Sequence, residues 1–353
     1  MSKFYTSVVC LGDYIFERGI EDGLPFNEKQ AFKPTLYIPT TTKTDWKTLE
    51  GDPVGPVQWG SIKETRAAMK KYDGVDNMKI YGHTNYNYSY IAETYPEPID
   101  YNFEHIKIMF LDIEVGSEHG FPNPENAQEE VTAITIKIND DIQVWGCSEF
   151  KNGQDNITYN KCGDERQLLE QFVMYWQQNC PHVITGWNTK TFDTPYLVNR
   201  IRNILNDSWV KKLSPWGFVK EQKIFGMGGK EVQTYEIYGV SEIDYMDAYK
   251  KFTYTNQESY RLDHIAYVEL EENKLDYSEV ATLHELYRTD YQKFIEYNIQ
   301  DVLLVDRLEK KMKLLEMIIS LAYLSKCNYT DVFAQTRMWD CIIYNHLLRE
   351  KVV

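Results

Sequence analysis

Residues 106–115, IKIMFLDIEV, form an almost unbroken apolar run with two acids set one residue apart near its end. A run of this length and composition reads as a buried strand. Side chains alternate along a strand, so Asp112 and Glu114 must leave it on the same face. Two carboxylates on one buried face repel each other and are poorly solvated unless a cation lies between them. The plain alternative is a strand that stops at Leu111, with both acids as solvated turn residues.

The sequence around this strand extends the pattern. VTAITIKI and IQVWGC follow, joined through Asn139, Asp140 and Asp141, which predicts an antiparallel start to a sheet. A helix is expected next, with Asp164 as N-cap, Gln167 completing the cap, and Leu168, Leu169, Phe172, Val173 and Trp176 on one face. HVITGWN reads as a further buried strand. Thr194 then reads as the cap of another helix, with Pro195 at its first position and Leu197, Ile201 and Leu205 facing inward. The order β-β-β-α-β-α is that of a ribonuclease-H-like α/β domain with a mixed sheet. Residues 219–240 predict a hairpin whose tip carries Met227, and helices are expected over Tyr291–Val305 and Leu314–Leu324. Before residue 103 the sequence reads as a smaller α+β unit. It opens with β segments from Lys3 to Ile38, continues through a loop over Thr40–Pro56 and a helix capped by Ser61, and ends in a Tyr/Asn-rich connection over Tyr81–Tyr101.

Two further acids are placed to join the first pair. Asp193 sits where a strand becomes a helix; capping is the ordinary reading for a lone Asp there, but Thr194 is the better cap and leaves Asp193 free. Asp301 follows Tyr297 by four residues on a strong helical pattern, so the two share a face that continues into Val305 and Leu308. An acid on such an inward stripe needs a partner, and taken singly an ion pair with a nearby Lys or Arg would serve.

Composition limits the alternatives. With 353 residues, 43% of them hydrophobic, the chain can bury a sizeable core. No apolar run approaches the roughly 20 residues a membrane-spanning helix needs, and residues 1–10 lack the layout of a signal peptide, so the expectation is a soluble, cytoplasmic protein. The 6 cysteines form no C-x-x-C pair and predict neither zinc nor disulfides. A net charge of −15 argues against a protein that coats duplex DNA through a basic surface. It leaves room for an enzyme that holds a few nucleotides with cations, a few lysines and some of its 27 tyrosines, 15 phenylalanines and 8 tryptophans.

Together the spacings D-x-E, N-x-x-x-F-D and Y-x-x-x-D match exonuclease motifs I, II and III of the DEDD nucleases. FLDIEV, TGWNTKTFDTPYLVNRI, KLSP, KKFTYTNQESYRLDHIA and YNIQDV resemble the exonuclease domain of family B DNA polymerases of the T4-like phages, and the likeness runs from FYTSVVCLGDYIFER to TRMWDCIIYN. The resemblance implies a 3′→5′ exonuclease domain over 104–313 and an N-terminal domain over 1–103 to which 314–353 returns. It implies two divalent ions, Mg²⁺ or Mn²⁺ given an all-oxygen ligand set. Asp112 would bridge them, Glu114 and Asp301 would hold the ion that binds the attacking water, Asp193 would support the second, and Tyr297 would orient the water, as in the DEDDy branch. By the same resemblance Lys274 lies near the scissile phosphate, Asn188, Phe192 and Phe121 contact the DNA end, and Met227 tips the hairpin that parts primer from template; the glycines around Met227 depart from the family pattern.

Neither an S-L-Y-P-S nor a D-T-D motif occurs, so the chain itself is expected not to polymerise. A polymerase domain would come from the same longer chain or from a companion. Expected partners are a single-stranded DNA 3′ end and primer-template DNA, with a sliding clamp and single-strand-binding protein reached through the whole polymerase. Two other readings stand beside this one: a free-standing DEDD nuclease, and an RNA-binding regulatory module in the N-terminal domain.

Overall fold

A computed structural model of the protein describes residues 2–75, 78–116, 120, 122–225, 229, 231–272 and 283–353. The chain divides into two compact units, Met1–His105 with Glu316–Val353, and Ile106–Leu315.

The first unit opens with a three-stranded antiparallel sheet, β1 (Lys3–Leu11), β2 (Tyr14–Glu21) and β3 (Leu24–Ala31), followed by the hairpin of β4 (Thr35–Pro39) and β5 (Val54–Gln58). Helix α1 (Ile62–Tyr72) starts at Ser61, whose hydroxyl accepts the Glu64 N–H while the Glu64 carboxylate accepts from Gly60 N. Sequence reading passes over β3, which is mostly exposed, and β5, whose Gly and Pro break any apolar alternation. The Tyr/Asn-rich stretch is no simple connection either: it holds helix α2 (Tyr86–Thr94), in which Tyr86, Tyr88 and Tyr90 are buried. A tyrosine hides its ring when its hydroxyl finds a partner, and hydropathy patterning misses a stripe built that way.

The second unit is a six-stranded sheet in the order β13-β10-β6-β7-β8-β9. Its strands are β6 (Ile108–Val115), β7 (Val131–Ile138), β8 (Asp141–Gly146), β9 (Ile157–Lys161), β10 (Val183–Thr185) and β13 (Ser241–Glu242). β7 runs antiparallel to β6 and β8, while β10 and β13 continue parallel to β6. This mixed topology is the ribonuclease-H-like arrangement read from the sequence. The helices are α3 (Glu165–Asn179), α4 (Asp193–Ile204), α5 (Asp207–Lys211), α6 (Tyr245–Phe252), α7 (Leu262–Leu270), α8 (Leu283–Thr289) and α9 (Tyr291–Met312), with a hairpin of β11 (Val219–Phe225) and β12 (Glu231–Ile237) between α5 and β13.

Alternation on β6 sends Met109, Leu111 and Ile113 to one face, where Leu169, Phe172 and Trp176 of α3 and Leu197 and Ile201 of α4 bury them. Burial of each such side chain stabilises by roughly 1.5–3 kcal/mol. The opposite face receives α9, whose Phe294, Ile295 and Ile299 pack on Ala133, Ile142 and Val144. Asp112 and Glu114 belong to this second face, so the fold sets them beneath α9.

The chain then forms α10 (Leu314–Ser325) and α11 (Gln335–Arg349). In the first unit Asn328 acts as a surrogate strand partner, accepting from Val8 N at 2.9 Å and donating to Val8 O at 2.9 Å. Among the described residues no helix is long and apolar enough to cross a membrane.

Candidate active site

β6 and α9 bring three carboxylates together. One oxygen from each of Asp112, Glu114 and Asp301 lies within 4.8 Å of the others. Asp112 and Glu114 arrive by strand alternation, and a register shift between Glu114 and Val115 marks a bulge where β6 leaves its pairing with β7; a bulge re-aims the side chains beside it. Asp301 arrives from the buried stripe of α9 together with Tyr297, one turn earlier and 5% exposed. Between them Asn298 donates from Nδ2 to Asp112 Oδ2 at 2.6 Å and accepts at Oδ1 from the Thr135 hydroxyl. Three oxygen-only, negatively charged groups packed this closely form a donor set suited to a hard divalent cation.

Asp193 is held differently. β10 is only three residues long, so among the described residues no strand pairs with that edge of β6 beyond Thr185. The Ile113 N–H, between the two acids of β6, donates instead to Asp193 Oδ1 at 3.1 Å. Gly186 permits the close crossing, since a Cβ there would lie 2.3 Å from the Leu111 carbonyl oxygen. Asn188 takes the left-handed conformation at φ +67, which Asn tolerates better than most residues, and its side chain accepts from the Thr191 hydroxyl at 2.5 Å. The expected cap at Thr194 is corrected: α4 begins at Asp193, and the Thr194 hydroxyl donates to Glu242 Oε1 at 2.6 Å. Pro195 tolerates this earlier start because N–H groups of the first helical turn have no partner within the helix.

The turn carrying these residues is clamped by Asp244. Its carboxylate accepts from Asn188 N and Lys190 N, both at 3.1 Å, and from Met246 N at 3.0 Å, so one side chain caps α6 and fixes the approach to Asp193. Burial pushes Asp193 well above the usual carboxylate range, against the pull of the Ile113 N–H and with a push from Asp244. Burial likewise raises Asp244 to about 7. Buried acids with strongly raised pKa values mark a candidate functional region.

Phe192 lies tilted on Tyr196, ring centroids 5.7 Å apart, and packs against the α3/α4 core. The β11–β12 hairpin is joined to this region by the Thr234 hydroxyl, which donates to Lys190 O at 2.6 Å. Phe121, Met227 and Lys274 fall outside the described residues.

The family model for the exonuclease domain of DNA polymerase family B matches residues 54–265. The chain belongs to DNA polymerase family B. Among its relatives are the DNA-directed DNA polymerases of Escherichia phage RB69, 32% identical over the whole of this chain, and of Enterobacteria phage T4, 31% identical, again over the whole chain. A DNA polymerase catalytic subunit of psittacid herpesvirus 1 is 25% identical over 67% of the chain and 24% of its own length. This family B chain spans 42% of the length of either phage relative. The family model covers β6 and the Asp193 turn, whereas α9 is matched through the whole-chain relatives. Reading the family B motifs residue by residue left out Asn298 and Asp244. Asn298 lies within the helical pattern of YNIQDV, and its signal is a polar residue on a stripe that must be buried. Asp244 caps α6, and only the structure reveals its second set of bonds, to Asn188 N and Lys190 N.

Proposed function

We propose that this family B chain is the proofreading part of a replicative polymerase, hydrolysing the last phosphodiester at a DNA 3′ end and releasing a nucleoside 5′-monophosphate. The observation that carries this reading is the gathering of Asp112, Glu114 and Asp301 oxygens within 4.8 Å on the strand and helix of a family B exonuclease fold. Asp112, Glu114 and Asp301 would hold one Mg²⁺ or Mn²⁺, and Asp112 with Asp193 would serve a second. When bound, such ions activate water near neutral pH and offset charge at phosphorus and on the leaving oxygen.

The chain's own groups do the positioning. The Tyr297 hydroxyl orients the attacking water in line with the bond to be broken. That water's oxygen bonds to phosphorus, the bond to the neighbouring O3′ breaks, and the departing oxygen takes a proton to become the new 3′ end. Asn188 and Phe192, at the turn before Asp193, would hold the terminal nucleotides; by the family resemblance Phe121 would join them, Lys274 would serve the scissile phosphate and Met227 would help part primer from template. The rest of the polymerase, through which a sliding clamp and single-strand-binding protein would act, delivers the frayed end, and the work is done in the cytoplasm of a phage-infected host. The decisive assay uses 3′-labelled single-stranded DNA and RNA with Mg²⁺, Mn²⁺ or chelator. Stepwise release of DNA mononucleotides that chelator abolishes is expected. A chain that leaves DNA intact under all three conditions refutes the assignment, and one that prefers RNA points to a free-standing nuclease.

A further inference from the structure

Asn298 is fully buried within α9, where a side chain with a low helix propensity and two polar groups has no place unless both groups are satisfied. Both are. Thr135, also fully buried, lies directly across from Asp112 in the β6–β7 register, so the two side chains share the face beneath α9. The Asn298 amide closes a triangle over that pair, donating to Asp112 and accepting from Thr135. Chemistry dictates the direction of each bond. An ionised carboxylate only accepts, so Nδ2 must face Asp112; Oδ1 must then face Thr135, and the hydroxyl must donate. The Thr135 hydroxyl therefore locks the amide, and the amide fixes the rotation of the carboxylate.

The donor is neutral, and this matters. A Lys or Arg here would hold Asp112 equally well but would cancel the charge a cation needs. An amide orients one oxygen and brings no positive charge of its own. We propose that Asn298, locked by Thr135, is a positioning residue that presets Asp112 for divalent-cation binding, an inference that rests on the metal-site reading above. Groups that orient a ligand from behind in this way typically contribute 10–100-fold in metal affinity.

The test titrates the full chain with Mn²⁺ alone, without DNA, by calorimetry and by thermal shift, and separately measures the Mn²⁺ and Mg²⁺ concentrations that half-saturate excision. Asn298→Leu, close in size and without polar groups, should raise the half-saturating Mn²⁺ concentration by roughly 10–100-fold, in the binding titration as well as in excision. Thr135→Val should raise it at least about threefold, and Thr135→Ser, which keeps the hydroxyl, should restore it. Wild-type chain that binds Mn²⁺ alongside an Asn298→Leu variant of equal affinity overturns the inference alone, whatever happens to its melting temperature, because a mere pin between α9 and the sheet would alter stability and not affinity. If Asn298→Leu does not fold, the Thr135 pair decides: unchanged affinity in Thr135→Val overturns the inference. Wild-type chain that binds no divalent cation overturns the metal-site reading and this inference with it.

Discussion

Glu17 in the first unit and Asp112 in the second are both strand carboxylates, the one buried and the other half-buried, and their surroundings are opposite. Glu17, 1% exposed, accepts from the Tyr90 hydroxyl at 2.5 Å, from the Tyr95 hydroxyl and from Gln30 Nε2 at 3.3 Å. Burial raises its pKa while the tyrosine bonds hold it down. Asp112 has the Asn298 amide on one oxygen and two more carboxylates beside it. An acid ringed by donors holds a fold together. An acid set among acids is repelled by them, and a cation bound between them relieves that repulsion.

The sharpest way to break this contrast is to remove acids from each place. Asp112→Ala with Glu114→Ala relieves the repulsion between the acids but takes the acceptor from the buried Asn298 amide, so the thermal midpoint should move little, while single-turnover excision of single-stranded DNA in Mg²⁺ falls by at least about three orders of magnitude. A double mutant that melts early and loses activity only in proportion would make the pair structural, like Glu17. Glu17→Ala should show the converse. With the Tyr90 and Tyr95 hydroxyls left without their acceptor, urea unfolding should report a loss of about 2–4 kcal/mol, and excision by the folded protein should stay at the wild-type rate. Unchanged stability would end the distinction from the other side.

Smaller changes refine it. Tyr297→Phe keeps the ring and its packing, so stability should hold while single-turnover excision drops by roughly one to two orders of magnitude; an unchanged rate would remove Tyr297 from the reaction. The smallest effect concerns a cation within the first unit. Lys326 is 4% exposed and donates to Pro96 O at 2.7 Å and to Tyr95 O, and burial lowers its pKa from 10.5 to about 8. The folded chain thus holds this proton more weakly than the unfolded chain. Its contribution to stability is fully present above the unfolded value of 10.5 and is lost as pH falls through about 8. Lys326→Met removes that dependence. Relative to wild type the variant should lose about 1–2 kcal/mol between pH 7 and pH 10, a figure reduced for residual hydration of the ammonium. Melts at pH 7, 8.5 and 10 that show a constant difference would refute it.

Periodicity made part of this molecule legible before any coordinates. The acid pair on β6, the capped start of α3 and the long stripe of α9 each obey one rule over many residues, and the mixed α/β architecture follows from their order. Features that depend on a partner far away in sequence were not readable. β3 is a strand because β2 lies beside it, since its own residues are mostly exposed. α2 is a buried helix because its tyrosine hydroxyls find acceptors such as Glu17. In the site, the bonds from Asn298 and to Asp244 cross 186 and 56 positions respectively, and no local pattern encodes them. The start of α4 departs from the expected cap for a related reason: the Thr194 hydroxyl is taken by Glu242, 48 positions away.

The brevity of β10 has a wider meaning. Three residues of pairing end just where β6 begins to carry its acids, and the edge thus left open is closed by the Asp193 side chain in place of a strand. A carboxylate has taken over the work of a backbone carbonyl. Its position is therefore tied to the hydrogen-bond spacing of the sheet and not to the looser geometry of a surface loop. A change in the length of β10 would displace it at once.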